Sequence, residues 1–200
     1  MSLPTPARFY AGRTSAQGHA ALGWESREGQ HQNFRLMIGL LERLIGPLAG
    51  LSVHDAGCGH GDLVPYLRER GIGAYLGTDF MEEPLVVARE RYKWAGPMVN
   101  FMRFDLLRGI PPKADISILA GTLAYHTPDD AETILERVWA RTGKAMAFHS
   151  WWGMPRQYEA HKMVRETQRR IERFLRLRAK QSERLLEYGP EFEALFALSR

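Results

Sequence analysis

The 200-residue sequence predicts an α/β protein with one domain, built on a doubly wound and mostly parallel β-sheet. Strand-like and helix-like segments alternate after residue 50, which is typical of folds whose parallel strands are joined by helices. The segment ADISILAG, residues 114–121, is nearly continuous in apolar residues, as expected of a central strand covered on both faces. We expect residues 51–200 to form this core and residues 1–50 to form a lid segment and one helix.

Each element has its own local signal. Apolar residues recur at helical spacing from Phe34 to Ile45, and Gly46-Pro47 ends that first helix. Further along the chain we predict strands at 51–56, 73–80, 98–105, 114–121 and 144–151, and helices at 61–71, 82–92, 128–142 and about 155–180. Two extended pieces around Tyr188-Gly189-Pro190 predict a C-terminal antiparallel hairpin, which brings the number of strands to seven.

The composition is that of an ordinary globular protein, with 44% hydrophobic and 25% charged residues. Cys58 is the only cysteine, so no internal disulfide can form and a reducing compartment fits best. No window reaches the ~18 uninterrupted apolar residues that a membrane span needs, and the first ten residues lack the apolar core of a signal peptide. We therefore expect a soluble, cytoplasmic protein with no membrane partner.

The positive charge is concentrated in one segment. Residues 155–185 contain ten Arg and Lys against four Glu, whereas the rest of the chain has 17 basic and 19 acidic residues. In the predicted helix 155–180, basic residues recur every three or four positions: Arg165, Arg169, Arg173, Arg176 and Lys180. Such a row can bind phosphates, but no aromatic residue is interleaved to stack on bases. We therefore predict a solvated helix face and no specific binding of nucleic acid.

A glycine-rich loop follows the first predicted strand in VHDAGCGHGDL, residues 53–63. Gly57, Gly59 and Gly61 stand where a doubly wound sheet opens its ligand crevice, and glycine there lets a ligand approach the backbone. The dinucleotide pattern G-x-G-x-x-G would need glycine at position 62, which is Asp62, and the Walker phosphate-binding pattern is absent. The loop therefore looks unsuited to phosphates.

Three carboxylates are predicted at the ends of three successive strands. Asp55, just before the loop, can accept hydrogen bonds from an ammonium group. Asp79 can accept from both hydroxyls of a ribose, and Asp105 from an exocyclic adenine amine. Phe80 or Phe104 could lie against the adenine ring. Together they describe an adenosine ligand that carries an amino acid end and no phosphates.

At these residues the sequence resembles the class I S-adenosylmethionine-dependent methyltransferases. VHDAGCGHGDL is similar to their first motif, YLGTDF to their ribose motif and RFDLL to their adenine motif; ADISILAGTLAYH and KAMAFHSW are similar to their fourth and fifth strands. The resemblance spans residues 51–151. It implies a Rossmann-like fold whose sixth and seventh strands are the C-terminal hairpin, S-adenosyl-L-methionine as cofactor, and contact of Leu106 with the adenine.

The upstream segment GWESREGQHQNF is similar to a W-x-S-x-x-x-Q-x-x-R-F segment in a bacterial subset of that family. Trp24, Ser26, Gln30 and Phe34 match, whereas Asn33 replaces the arginine. The resemblance implies that Trp24 and Gln30 close over the cofactor.

Residues after the fourth and fifth strands are candidates for the side that binds the methyl acceptor: Tyr125, His126 and Trp151. A general base is required only when the acceptor is protonated, so no residue is assigned as catalytic. No metal-ligand spacing stands out. We expect a small-molecule acceptor. Two alternatives remain open: an RNA or protein methyltransferase that uses the basic helix, and a non-catalytic Rossmann-like protein that binds a nucleotide or NAD.

Overall fold

The computed structural model describes residues 15–154, 156–157, 160–186 and 193–200 of the chain. Its centre is a seven-stranded sheet made of β1 (Ser52–Ala56), β2 (Ala74–Asp79), β3 (Val99–Arg103), β4 (Ala114–Leu119), β5 (Thr142–Trp151), β6 (Gln181–Leu186) and β7 (Glu193–Ser199). The strand order is β3-β2-β1-β4-β5-β7-β6. The first five strands are parallel, and β7 runs antiparallel to both β5 and β6. The predicted fold class is confirmed.

In the described part of the chain, five α-helices accompany the sheet: α1 (Arg27–Ile45), α2 (Val64–Glu69), α3 (Glu82–Tyr92), α4 (Pro128–Arg141) and α5 (His161–Arg178). Helix α1 begins where the Ser26 hydroxyl accepts a hydrogen bond from the Gly29 amide at 3.0 Å, and it ends at Gly46, whose φ is +78°. The Thr127 hydroxyl caps α4 in the same way. A short 3₁₀ segment, Ser15–Leu22, precedes α1.

The helices bury two apolar cores, one on each face of the sheet. On the first face, α1 and α2 pack on the sheet through residues that include Met37, Ile38, Leu41, Leu67, Val53 and Ile116. On the second face, α4 and α5 pack through Ile134, Val138, Ile171, Phe174, Phe148 and Phe196. Strand residues alternate between the two faces, so neighbouring positions of β4 such as Ile118 and Leu119 enter different cores.

Two helix boundaries differ from the sequence-based prediction. Helix α2 has only six residues because the chain from Gly57 to Leu63 forms turns and Pro65 stands in the first helical turn. Helix α5 begins at His161 rather than near residue 155. The hairpin pairs from Gln181 with Ser199 to Leu186 with Ala194, whereas its predicted turn around Tyr188-Gly189-Pro190 lies outside the described residues.

The basic row of α5 faces outward as predicted, but part of its positive charge is paired with the neighbouring helix. Arg173 forms an ion pair with Glu132 of α4, and Arg178 one with Glu136 at 3.1 Å. Arg170, beside the row, contacts Glu132 at 2.8 Å. The acids of α4 therefore neutralise part of the surface that could have contacted phosphates. No helix in the described part of the chain has the length and apolarity required to cross a bilayer.

Candidate active site

A cavity of about 410 Å³ opens at the carboxyl ends of β1, β2 and β4. This is the edge at which parallel α/β sheets bind their ligands. Eleven of the site residues named from the sequence line it: Trp24, Gln30, Asp55, Gly57, Gly59, Asp79, Phe80, Phe104, Asp105, Leu106 and His126. Residues that were not predicted from the sequence also line the cavity, among them Leu22, Thr78 and Thr122.

The glycine loop is held tightly against β2. The amides of Gly57 and Cys58 both donate to the Thr78 carbonyl, at 2.7 and 2.9 Å. Gly57 has a φ of +87°, and a Cβ at this position would collide with the Thr122 hydroxyl. Because Thr122 in turn donates to the Ala56 carbonyl at 2.6 Å, it cannot easily move away. Glycine is thus required at position 57 by both conformation and space.

The other two loop glycines face different surroundings. A Cβ on Gly59 would lie 2.7 Å from Leu22 Cδ1, so the segment preceding α1 covers the loop at this point. A Cβ on Gly61 would lie 2.8 Å from Phe101 Cε1 and near Tyr92, and Gly61 does not line the cavity. Gly61 therefore lies in the packing between the loop and the aromatic residues of α3 and β3, outside the lining of the cavity.

Asp79 connects the end of β2 to the glycine loop. Its Oδ2 accepts from the Gly59 amide at 3.1 Å, and its Oδ1 accepts from the Met81 amide at 3.0 Å. Burial raises the pKa of this carboxyl, and the backbone donors partly oppose that effect. A ligand that donates hydroxyl hydrogens to Asp79 would therefore bind a group whose orientation is already set.

Asp55 is buried at the end of β1, and the Tyr75 hydroxyl donates to its Oδ2 at 2.6 Å. Burial raises the pKa of Asp55 to about 7; the hydrogen bond from Tyr75 lowers it, and the nearby Asp79 and Asp62 carboxylates raise it. The carboxyl thus changes charge near neutral pH. A cation that entered the cavity would favour its ionised form.

Asp105 follows β3 and is more open to solvent, since its side chain is 44% exposed. Its Oδ1 accepts from the Leu107 amide at 2.9 Å, and its Oδ2 lies 3.3 Å from Arg108 Nε. Leu106 and Phe80 also line this end of the cavity. The Arg108 side chain is 87% exposed, so it contributes its charge at the mouth of the cavity rather than inside.

The segment before α1 closes one side of the cavity. The Trp24 ring stacks on His149 of β5 with centroids 5.9 Å apart, and its edge meets Phe34 at 6.1 Å. A Cβ on Gly121 would lie only 3.3 Å from Trp24, so glycine after β4 leaves space for the indole. Trp24 is therefore a wall of the cavity that is packed against three elements.

Gln30 joins the same wall to the loop, because its Nε2 donates to Asp62 Oδ2 at 3.3 Å. Asp62 also pairs with Arg91 of α3 and does not line the cavity. The residue at position 62, where the dinucleotide pattern requires glycine, therefore lies outside the lining of the cavity. The argument against phosphates then depends on Asp55 and Asp79, which do line the cavity.

On the opposite side, His126 is the predicted acceptor-side residue that the structure brings to the cavity. Its Nδ1 lies 2.8 Å from the Thr122 carbonyl, which can only accept, so Nδ1 carries the hydrogen and Nε2 keeps a free lone pair. Burial lowers the pKa of His126, which favours the neutral ring. His126 can therefore take up a proton through Nε2.

The remaining acceptor-side candidates are placed differently. Trp151 does not line the main cavity but lines a second, small pocket with Ser150 and Met163, and His126 borders both. The Tyr125 side chain lies outside the described residues. Burial raises the pKa of the Cys58 thiol, which therefore stays protonated and is a poor nucleophile. Within the described ranges, no group of three or more His, Cys, Asp or Glu could hold a metal ion.

Known proteins agree with this geometry. A family model described as a methyltransferase domain matches residues 53–143, which include β1 to β4 and the glycine loop. The ubiquinone biosynthesis O-methyltransferases of Pseudomonas paraeruginosa and Pseudomonas aeruginosa are 30% identical over 118 residues. Over residues 53–143, the predicted resemblance to methyltransferases is therefore confirmed.

Solved methyltransferase structures share the fold of this domain at low sequence identity. Magnesium protoporphyrin IX methyltransferase from Synechocystis, with bound S-adenosylhomocysteine, superposes with a TM-score of 0.73 at 16% identity and covers 97% of this chain and 98% of that one. An N-methyltransferase from Bradyrhizobium japonicum has a TM-score of 0.62 at 16% identity, with 87% and 95% covered. The Pseudomonas matches cover 56% of this chain and 50% of those proteins, so the chain spans about half the length of these relatives.

Within the methyltransferase domain, the most consequential residue that sequence reasoning missed is Tyr75. The pairing of β1 with β2 is the signal that could have identified it. The two strands run parallel, with Val53 opposite Tyr75 and Asp55 opposite Gly77. Because residues two apart share a face, Tyr75 and Asp55 lie on the same face of neighbouring strands. Only the register shows that the tyrosine hydroxyl reaches the carboxylate.

Proposed function

We propose that the chain transfers the methyl group of S-adenosylmethionine to a small-molecule acceptor, with Asp55, Asp79 and Asp105 as the principal cofactor ligands. The observation that supports this most strongly is that all three carboxylates, from three different strand ends, line one cavity. Asp55 is buried, Asp79 is half-buried, and both are already oriented by hydrogen bonds. A ligand with an ammonium group and a ribose satisfies both, whereas a pyrophosphate would place negative charge beside them.

The lining fits each part of this cofactor. Asp55 would bind the ammonium group beside the backbone of Gly57 and Gly59, and Asp79 would accept from the ribose hydroxyls. Asp105 would accept from the adenine amine, and Phe80 and Leu106 would contact the ring. The cofactor supplies a methyl group on a positively charged sulfur. The protein has to position the acceptor in line with that methyl and to exclude water. Leu22 and Trp24, which precede α1 and line the cavity, are placed to exclude water.

We further propose that His126 is the general base when the acceptor carries a proton at its reacting atom. Its hydrogen bond to the Thr122 carbonyl fixes the tautomer that leaves Nε2 able to accept. Burial keeps the ring neutral and ready at neutral pH. Trp151 remains a candidate on the acceptor side, because it borders a small pocket that shares His126 with the main cavity.

Two further observations favour a small acceptor. The Pseudomonas and Synechocystis proteins are named for methyl transfer in ubiquinone biosynthesis and to magnesium protoporphyrin IX, and both ubiquinone and the porphyrin are small molecules. The ion pairs of Arg173 and Arg178 with α4 also leave less free positive charge for an RNA.

Calorimetry and a methyl-transfer screen test the proposal. The protein should bind S-adenosylmethionine and S-adenosylhomocysteine and should show no measurable affinity for NAD. A screen of phenols, carboxylic acids and amines then identifies the acceptor. For a hydroxyl acceptor, His126→Gln should lower kcat by about 10²–10⁴-fold while the affinity for S-adenosylhomocysteine stays unchanged.

His161→Gln is the matched control for that experiment. The His161 Nδ1 also lies close to a backbone carbonyl, that of Met154 at 2.5 Å, but the residue does not line the cavity. The His161→Gln variant should therefore keep the wild-type kcat. Binding of NAD without binding of S-adenosylhomocysteine would overturn the proposed function; an unchanged kcat in folded His126→Gln would overturn the role of His126 alone.

A further inference from the structure

Beneath the cavity lies a buried hydrogen-bonded pair, Asp55 and Tyr75. Both side chains are almost completely inaccessible to solvent, with exposures of 2% and 1%, and the hydroxyl donates to the carboxylate at 2.6 Å. The Tyr75 ring packs edge-on against Phe101 with centroids 5.6 Å apart. A phenylalanine could make the same ring contact, so packing does not account for the hydroxyl. The hydroxyl acts on the carboxylate.

The surroundings of Asp55 explain why such a donor is useful. Burial disfavours the charged form of the carboxyl, and two further carboxylates, Asp79 and Asp62, oppose it. Asp62 is itself paired with Arg91. The thiol of Cys58 is kept protonated by the same environment. A hydrogen bond from Tyr75 favours the charged form and also limits the rotation of the carboxylate.

We propose that Tyr75 is a positioning residue for the cofactor: its hydroxyl orients the Asp55 carboxylate and favours its charged form, so that Asp55 can pair with the ammonium group of the amino acid end. The inference rests on the proposed function, since it assumes that this cofactor binds. A tyrosine with only a structural role would not affect how cofactor binding depends on pH. Cofactor binding is linked to loss of a proton from Asp55, and Tyr75 sets the pH at which that occurs.

The expected pH dependence follows from this linkage. Where Asp55 is protonated before binding, the ligand's ammonium can pair with it only after the proton is lost. The affinity for S-adenosylhomocysteine should therefore fall by up to about tenfold for each pH unit below the midpoint, and should level off above it. Near pH 7, where the carboxyl is about half protonated, binding should release about 0.5 proton.

The experiment is isothermal titration calorimetry with S-adenosylhomocysteine between about pH 5.5 and pH 8, in two buffers that differ in ionisation enthalpy. In Tyr75→Phe the midpoint should rise by about one pH unit or more, and the affinity at pH 7 should fall by about fivefold to tenfold. Tyr92→Phe is the matched control. It removes one hydroxyl from the same aromatic cluster, where Tyr92 stacks on Phe101 at 5.9 Å, and should leave the midpoint unchanged.

The pKa of the neighbouring Asp79 is also raised, so the proton released on binding could come from either carboxyl. Asp55→Asn shows whether it comes from Asp55. This variant should bind weakly at every pH and should lose the proton release near pH 7. It keeps the proposal falsifiable even if Tyr75→Phe does not fold. If Tyr75→Phe folds and keeps the wild-type midpoint, or if Asp55→Asn keeps the wild-type proton release, the positioning role is overturned while the proposed function stands. If the wild-type protein binds no S-adenosylhomocysteine, it is the proposed function that fails.

Discussion

Replacing Asp55 with asparagine should stabilise the ligand-free protein at neutral pH. The pKa of this carboxyl is about 7 in the folded protein, against 3.8 for an unperturbed aspartate, and burial is the main cause. Between about pH 4 and pH 7, Asp55 is therefore protonated in the folded state and ionised in the unfolded state. Because the native state then binds more protons, stability decreases as pH rises from about 4 to 7, and the loss is complete above pH 7.

The size of the effect follows from the same two values. A difference of about 3 pH units corresponds to at most ~4 kcal/mol. Asparagine has nearly the same shape and can still accept the hydrogen bond from Tyr75, but it carries no charge to be buried. We expect Asp55→Asn to gain about 1–3 kcal/mol in the free energy of unfolding at pH 8 and nothing near pH 4.

Urea unfolding at pH 5, 6, 7 and 8, without ligand, measures this gain. Asp105→Asn is the control, because the Asp105 side chain is 44% exposed and loses little solvation in the folded state; this variant should gain no stability at any pH. The reasoning is refuted if Asp55→Asn shows no gain at pH 8, or the same gain at pH 5 as at pH 8. A protein that is more stable but binds its cofactor more weakly would show that the buried charge is kept for binding.

Three further predictions concern the cavity and the basic helix. Asp79→Ala should weaken the binding of S-adenosylhomocysteine by about 10–200-fold in calorimetry, because two ribose hydroxyls lose a charged acceptor; unchanged affinity in the folded variant would contradict the ribose assignment. Gly59→Val should abolish cofactor binding, whereas Gly71→Val should retain it. Both glycines have a positive φ, but only Gly59 lines the cavity. Equal binding by the two variants would show that the loop is only structural. The protein should not bind tRNA tightly at physiological salt, and changing Arg165 and Arg176 to Glu should not alter that; tight binding that this double change removes would favour an RNA acceptor.

Much of the fold could be predicted from the sequence, since its signals are local. Helix α3 has the predicted bounds, Glu82–Tyr92, and the strands fall within one or two residues of the predicted segments. Hydrophobic periodicity and turn residues act over a few positions, so they can be recognised without knowing the tertiary structure. The strand-end acids Asp55, Asp79 and Asp105 could be proposed as partners for the same reason: parallel strands bring their carboxyl ends to one edge of the sheet.

What the sequence by itself determined is therefore the order of strands and helices, the site of the glycine loop and the set of carboxylates at the sheet edge. The tertiary structure alone decided where individual side chains of those elements point. Gly61 packs on Phe101 while Gly59 lines the cavity, and Asp62 pairs with Arg91 outside the cavity. The contact of Tyr75 with Asp55 depends on the register of two strands 20 residues apart in the chain. Such contacts depend on register and packing between distant segments, which a periodic pattern within one segment does not specify.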